Sequence, residues 1–325
     1  VLIGPTGINL LNPKLVNSLT PFTSVALAII GFNIGSELEF KKLRALGKSI
    51  FFIVIFEAFF AFALVCIGTY VITGQLAYGL LFGSLAAATA PAATVDVLYE
   101  YEAKGTLTTT LLAVVGLDDA VALIIYAFSF SFAKVIISPT IKLSAKSLIW
   151  HPLFEIFGSL LIGAVLGFIF IFIAKRIKNK IKILILTLGF ILLAAGLAIK
   201  LHLSLILVAM AIGMITVNIS HSTTSKISGI LSEFVPPIYI IFFALVGARL
   251  NLRNIVNLET TTIILIFAYV LLRATGKYMG VFLGALVSKA KDTVRKYLGF
   301  ALFSQAGVAI GLAIFCSNEL RHIPG

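Results

Sequence analysis

The chain has 325 residues, 60% hydrophobic and only 12% charged, with a formal net charge of +12 and a mean hydropathy of +1.12. No soluble domain of that length hides so much apolar surface, so the composition excludes a water-soluble protein and gives a polytopic membrane protein. Backbone groups in lipid must be satisfied internally and the apolar stretches are too long for barrel strands, so the fold class is all-α.

Eleven segments run along the chain: 1–11, 21–38, 49–73, 76–98, 106–132, 152–174, 181–199, 201–217, 234–248, 260–287 and 296–317. They read as a single transmembrane domain over 1–325, without short solenoid repeats. Val1-Leu2-Ile3-Gly4 lacks a charged n-region and reads as the tail of a helix, and both ends read as trimmed. Fifteen Lys and Arg fall in the loops around 41–48, 104, 175–182, 226 and 289–296, against eight in the alternating loops. The first set is therefore expected on the cytoplasmic side. Topology and contact with anionic lipid explain the positive charge, and no nucleic acid is implied.

Polar residues inside the spans carry the functional reading. Glu57 in segment 49–73 reads either as a cavity-lining group or as a protonated, hydrogen-bonded contact between helices. Segment 76–98 carries Thr89-Ala90-Pro91-Ala92-Ala93-Thr94, and Pro91 removes an amide donor and should break the helix. Asp96, just beyond, reads as a solvated helix terminus or a funnel residue. Gly116-Leu117-Asp118-Asp119-Ala120 lies in the apolar run from Leu111 to Phe130. A charge near the bilayer centre costs roughly 2.5–3.5 kcal/mol on insertion scales, so paired aspartates at that depth point to an ion or proton path.

Segment 260–287 holds Arg273 and Lys277 one helical turn apart, on one face. Arg273 reads as snorkelling to an interface, with a place in the cavity as the alternative. Lys277, in Gly276-Lys277-Tyr278-Met279-Gly280, needs a counter-charge, and Asp118 or Asp119 can supply it. Segment 296–317 contains Ser304-Gln305-Ala306-Gly307 and Gly311, a polar, glycine-interrupted run at a depth comparable with Pro91. Interrupted spans offer free backbone carbonyls and half-helix ends to an ion. The four histidines sit in loops and Cys66 and Cys316 in apolar spans, so no resident metal site is assigned.

The two halves share a pattern. Gly35-Ser36-Glu37-Leu38-Glu39-Phe40-Lys41 matches Gly247-Ala248-Arg249-Leu250-Asn251-Leu252-Arg253, and each precedes a long span and then an interrupted one. The two copies end on opposite sides, so the repeat is inverted. The repeat and the paired basic residue disfavour an intramembrane aspartyl protease, and nothing resembles the symmetric filter loops of a channel.

Thr89-Ala90-Pro91, Gly105, Gly116-Leu117-Asp118-Asp119-Ala120-Val121-Ala122-Leu123 and Gly276-Lys277 together resemble the monovalent cation/proton antiporter superfamily. Phe242-Phe243-Ala244-Leu245-Val246-Gly247 and Gln305-Ala306-Gly307-Val308-Ala309-Ile310-Gly311 resemble its branch of bacterial sodium/proton antiporters and Kef-type potassium efflux systems. The resemblance implies an inverted-repeat sodium/proton antiporter fold with two crossed discontinuous helices, not an enzyme. It implies a transport core mainly at 49–132 and 260–317, a panel mainly at 1–38 and 181–248, and a homodimer. Asp119 would be the ion- and proton-binding carboxylate, with Asp118 its neighbour, paired with Lys277. Thr89 would lie beside the ion at the crossing, Pro91 would hold the unwound geometry, and Ser304, Gln305 and Gly307 would belong to the second break.

The transported species would be Na+, or K+ in a Kef-type exchanger, against protons, with no cofactor, in a prokaryotic inner membrane. A last helix would lie beyond Gly325. Lys277 and Asp118 are expected to pair in the cation-free state and to part on cation binding. If Lys277 then released its proton, exchange would move more than one proton per cation.

Overall fold

The computed structural model describes residues 18–41, 47–90, 97–98, 100–137, 145–249, 259–305 and 307–320. The expected segment 1–11, Pro91 and Asp96 lie outside them. Among the described residues all regular structure is helical. The helices are α1 Thr20–Glu37, α2 Gly47–Thr73, α3 Leu76–Ala87, α4 Thr106–Ile137, α5 Ala145–Ala174 and α6 Lys180–Lys200. Then follow α7 Leu205–Ile219, α8 His221–Arg249, α9 Thr260–Val287, α10 Asp292–Ala301 and α11 Gly307–Leu320.

Six of them hold stretches long and apolar enough to cross a membrane: α2, α4, Pro152–Ala174 of α5, α6, His221–Leu245 of α8, and α9. The protein is a multi-pass integral membrane protein. Segment 234–248 is only the end of a longer helix: α8 begins at His221 and carries Pro236 and Pro237 inside it. Proline lacks the amide but does not bar a membrane helix, whose neighbours and local adjustments re-satisfy the freed carbonyls.

The chain forms two compact units, Val1–Glu39 with Leu153–Glu259, and Phe40–Pro152 with Thr260–Gly325. In the first unit α1 packs on α7. Association of helices in lipid relies on close van der Waals contact, which small residues permit. A Cβ on Gly35 would stand 1.9 Å from the Met210 carbonyl oxygen, and one on Gly213 would stand 2.2 Å from that of Phe32. Around this contact Ala28, Ile29, Phe32, Phe170, Ala209 and Ile212 fill a buried core, with Phe32 and Phe170 edge to face at 6.1 Å. Two helix starts are capped by side chains. Asn179 accepts from the amides of Ile181 and Lys182, and Ser204 accepts from Leu207, satisfying donors that have no partner in the first turn.

The second unit is organised by α2 and α9. Gly276, Gly280 and Gly284 recur every fourth residue and so line one face of α9. A Cβ on Gly276 would lie 2.7 Å from Ala61 Cα, on Gly280 2.5 Å from Glu57 Cα, and on Gly284 2.8 Å from Ile53 Cα. The two backbones thus touch along three turns, and Glu57 is held against α9. Gly74 ends α2 at φ +68°, a conformation costly for any residue with a Cβ.

Both interrupted segments are broken in the structure. Residues 76–98 form α3 and then leave the helix at Ala88, whose φ of −69° and ψ of 144° are extended. Residues 296–317 divide into α10 and α11, with 302–305 outside either helix.

Candidate functional site

The two breaks meet within the second unit. The Ala90 amide donates to the Ser304 carbonyl at 3.0 Å, and Ser304 Oγ returns a bond to the Ala90 carbonyl at 3.1 Å. Gln305 Nε2 donates to the Leu85 carbonyl at 2.7 Å and pairs with the Tyr269 hydroxyl. Backbone groups that lost helical partners are therefore satisfied across the junction, as membrane depth demands. Gly307 opens α11 just beyond it.

A stripe on α9 binds this junction. Tyr269, Arg273 and Lys277 are four residues apart and share a face. Arg273 does not snorkel: it is 4% exposed. Its guanidinium donates to the carbonyls of Phe303 at 2.6 Å, Ala88 at 2.9 Å and Ser304 at 3.2 Å. Helices α3 and α10 end in unmet carbonyls and the negative pole of the helix dipole, so a cation with several donors is suited to that place. The expectation of snorkelling failed because apolar sequence on both sides of a residue does not tell which face is buried.

Lys277, fully buried, binds three groups. Its Nζ lies 2.5 Å from Glu57 Oε2, 3.3 Å from both Asp118 oxygens, and also donates to the Ala87 carbonyl at the end of α3. Of the two sequence alternatives for its counter-charge, Asp118 is the one in contact. Glu57 stands closer still. Glu57 and Asp118 thus converge on one ammonium from α2 and α4, and Thr89 follows directly on Ala88, whose carbonyl Arg273 binds. Glu57 is 0%, Thr89 3% and Asp118 1% exposed. The structure thus brings together Glu57, Thr89, Asp118, Arg273, Lys277, Ser304 and Gln305.

Asp119 follows Asp118 on α4, about 100° further around the helix. It is half-buried, and its Oδ1 is shielded from solvent. An apolar cluster backs this part of the unit, with Ala58, Ala87, Ala88, Ala122 and Ala309 in contact. Tyr126 on α4 also donates to the Leu312 carbonyl of α11 at 3.1 Å.

The sequence reading left the Glu57–Lys277 contact unstated. A signal existed in the glycine spacing of 276, 280 and 284, which marks a face of α9 open to backbone contact. Which helix fills it is not written locally. The bonds of Arg273 to three carbonyls were equally hidden, because backbone acceptors leave no mark in sequence.

The transmembrane family described as sodium/hydrogen exchanger matches residues 1–324. A search of curated proteins found no match. Among solved structures, the sodium proton antiporter MjNhaP1 from Methanocaldococcus jannaschii at pH 8 is similar with a TM-score of 0.77 and 17% identity, over 99% of this chain and 78% of that one. An electron-microscopy structure of the same antiporter gives a TM-score of 0.66 and 16% identity, over 95% and 73%. The chain belongs to the sodium/hydrogen exchanger family, with the inverted-repeat antiporter fold and two crossed discontinuous helices. Membership places it among transporters and not among enzymes.

Proposed function

We propose that this exchanger moves Na+ against protons by alternating access, with the ion site at Asp118 and Asp119 and Thr89 beside it. The observation that carries this reading is the buried Lys277–Asp118 pair set against two unwound segments. Buried carboxyls hold protons, a cation competes for the same oxygens, and a cavity opening to each side in turn converts that competition into exchange. Lys277 neutralises Asp118 in the cation-free state and yields it when the cation arrives.

Residues 49–132 and 260–317 serve as the transport core in this reading, and 1–38 with 181–248 as a panel that forms a homodimer. The basic loops face the cytoplasm of a prokaryotic cell, in its inner membrane, and the exchange serves pH homeostasis. No bound cofactor is needed for the cycle.

The paired aspartates support Na+ as substrate, through their resemblance to sodium/proton exchangers. Purified protein in proteoliposomes with an imposed pH gradient tests this. Addition of Na+ should collapse the gradient, and K+ should do so less. Collapse by K+ alone would reassign the chain to Kef-type potassium exchange, and collapse without any added cation would overturn exchange altogether.

A further inference from the structure

We infer that the corner between α9 and α10 binds an anionic phospholipid. Lys289, Lys291 and Lys296 hold its phosphate, and its acyl chains lie along Tyr297, Phe300 and Phe303. This goes beyond the exchange reading and does not depend on it.

The corner stands at one end of a spanning helix. α9 is long and apolar enough to cross a membrane and ends at Val287, which puts residues 288–291 at the membrane boundary. α10 then retraces α9 inwards: Arg295 lies over the Phe282 ring at 5.7 Å, and Phe300 packs on Tyr278 at 4.9 Å. Its ten residues rise about 15 Å, half of a hydrocarbon core of about 30 Å. The first turn therefore sits at headgroup level and the last at acyl depth.

The boundary end is basic. The hydroxyls of Ser49 and Ser288 meet at 3.0 Å, and Lys291 Nζ donates to Thr106 Oγ1 at 3.0 Å. The starts of α2 and α4 thus join the corner and add Lys48 and Lys104. Together with Lys289, Lys291, Arg295 and Lys296 they face only Glu100, Glu102 and Asp292 among the described residues. Asp292 is already paired with Arg295 at 2.8 Å. Lys289 and Lys296 are exposed, and an ammonium has three donors, so Lys291 can keep Thr106 and still reach a phosphate.

The deeper part is aromatic. Val294 and Leu298 turn into the core of the unit, which leaves the opposite side of α10 uncovered. Tyr297, Phe300 and Phe303 are 58%, 56% and 38% exposed there, with the last two rings 5.7 Å apart. Positive charge at one end and apolar surface at the other match a lipid with an anionic head. A soluble anion would engage the lysines and leave the aromatic strip bare. α10 leads directly to Phe303 and Ser304, whose carbonyls Arg273 binds, so a lipid seated here braces the junction of the two breaks.

The test is lipid retention. Full-chain protein in detergent receives phosphatidylglycerol and phosphatidylcholine with identical acyl chains, and bound lipid is counted by native mass spectrometry. Wild type should prefer phosphatidylglycerol at least about tenfold, and K289Q or K296Q should each weaken its retention about fivefold. K289Q/K291Q/K296Q should remove the preference, whereas K178Q/K180Q/K182Q, in the basic loop of the first unit, should keep it. F300S should lower retention of phosphatidylglycerol, and millimolar inorganic phosphate should not displace it.

An unchanged preference in the triple variant of the corner, or an equal loss in that of the first unit, would overturn the inference. Displacement by inorganic phosphate would give the lysines to a soluble anion instead. Loss of a dimer in F300S with normal lipid retention would give the strip to a second copy of the chain. If the triple variant melts early, because Lys291 also holds Thr106, K289Q/K296Q decides in its place.

Discussion

The two compact units solve the same problem, a polar group inside an apolar protein, in different ways. In the unit of Val1–Glu39 and Leu153–Glu259, buried hydroxyls turn back on their own helices: Thr187 donates to the Ile183 carbonyl at 2.8 Å and Thr216 to that of Ile212 at 2.6 Å. In the other unit the buried charged groups reach across the fold. Arg273 bonds the ends of α3 and α10, and Lys277 bonds α2, α3 and α4. A polar group closed within one helix can be lost with little effect on its neighbours. One that spans broken segments holds the geometry of the site.

The strongest way to break this comparison is to remove the proposed ion-binding carboxylate. Asp119→Asn should abolish cation-dependent proton movement in proteoliposomes while leaving expression and melting temperature close to wild type. Substantial residual exchange at normal expression would remove Asp119 from the site.

Arg273→Ala comes next. It leaves three carbonyls without their donor at a junction that lacks helical partners, and each hydrogen bond to a charged group is worth about 1.5–3 kcal/mol. The variant should melt well below wild type and lose exchange. Arg273→Lys should recover only part of either, because a point charge does not reproduce the planar fork. A wild-type melting curve for Arg273→Ala would show that the junction does not depend on the guanidinium.

Two glycine substitutions sharpen the contrast between the units. Gly280→Ala places a Cβ 2.5 Å from the Glu57 Cα, and Gly35→Ala places one 1.9 Å from the Met210 carbonyl oxygen. Each should cost about 1–3 kcal/mol, the usual scale of overpacking. Gly280→Ala should also lower the apparent affinity for the transported cation, since it displaces the helix that carries Glu57. Gly35→Ala should lower thermal stability alone. Equal effects of both on cation affinity would mean that the polar site is not confined to the second unit.

The smallest effect is expected at Asn179, which caps α6 with two backbone bonds, to Ile181 at 2.9 Å and Lys182 at 3.2 Å. Asn179→Ala should cost about 1 kcal/mol in stability. It should leave exchange rates unchanged, measured side by side with wild type in the same vesicles.

Much of this was legible in the chain. Apolar runs of spanning length determine helices, because lipid offers backbone groups no other partner. The breaks at 88–90 and 302–305 fall in the two segments where polar and conformationally special residues interrupt apolar sequence. Charged residues at membrane depth, Asp118 and Lys277 among them, mark the site by their cost alone.

Tertiary structure decided the rest. In a span that is apolar on every side, periodicity carries no record of which face meets protein and which meets lipid. For that reason Arg273 read as an interface residue, and Glu57 read either as a cavity-lining group or as a contact between helices with no partner named. Only the backbone contact along Gly276, Gly280 and Gly284 brings Glu57 to Lys277, and only the meeting of two helix breaks gives Arg273 its three carbonyls. Sequence determines where charge must be compensated, because burial makes that cost local to the residue. The compensating partner is chosen by the packing of helices far apart in the chain.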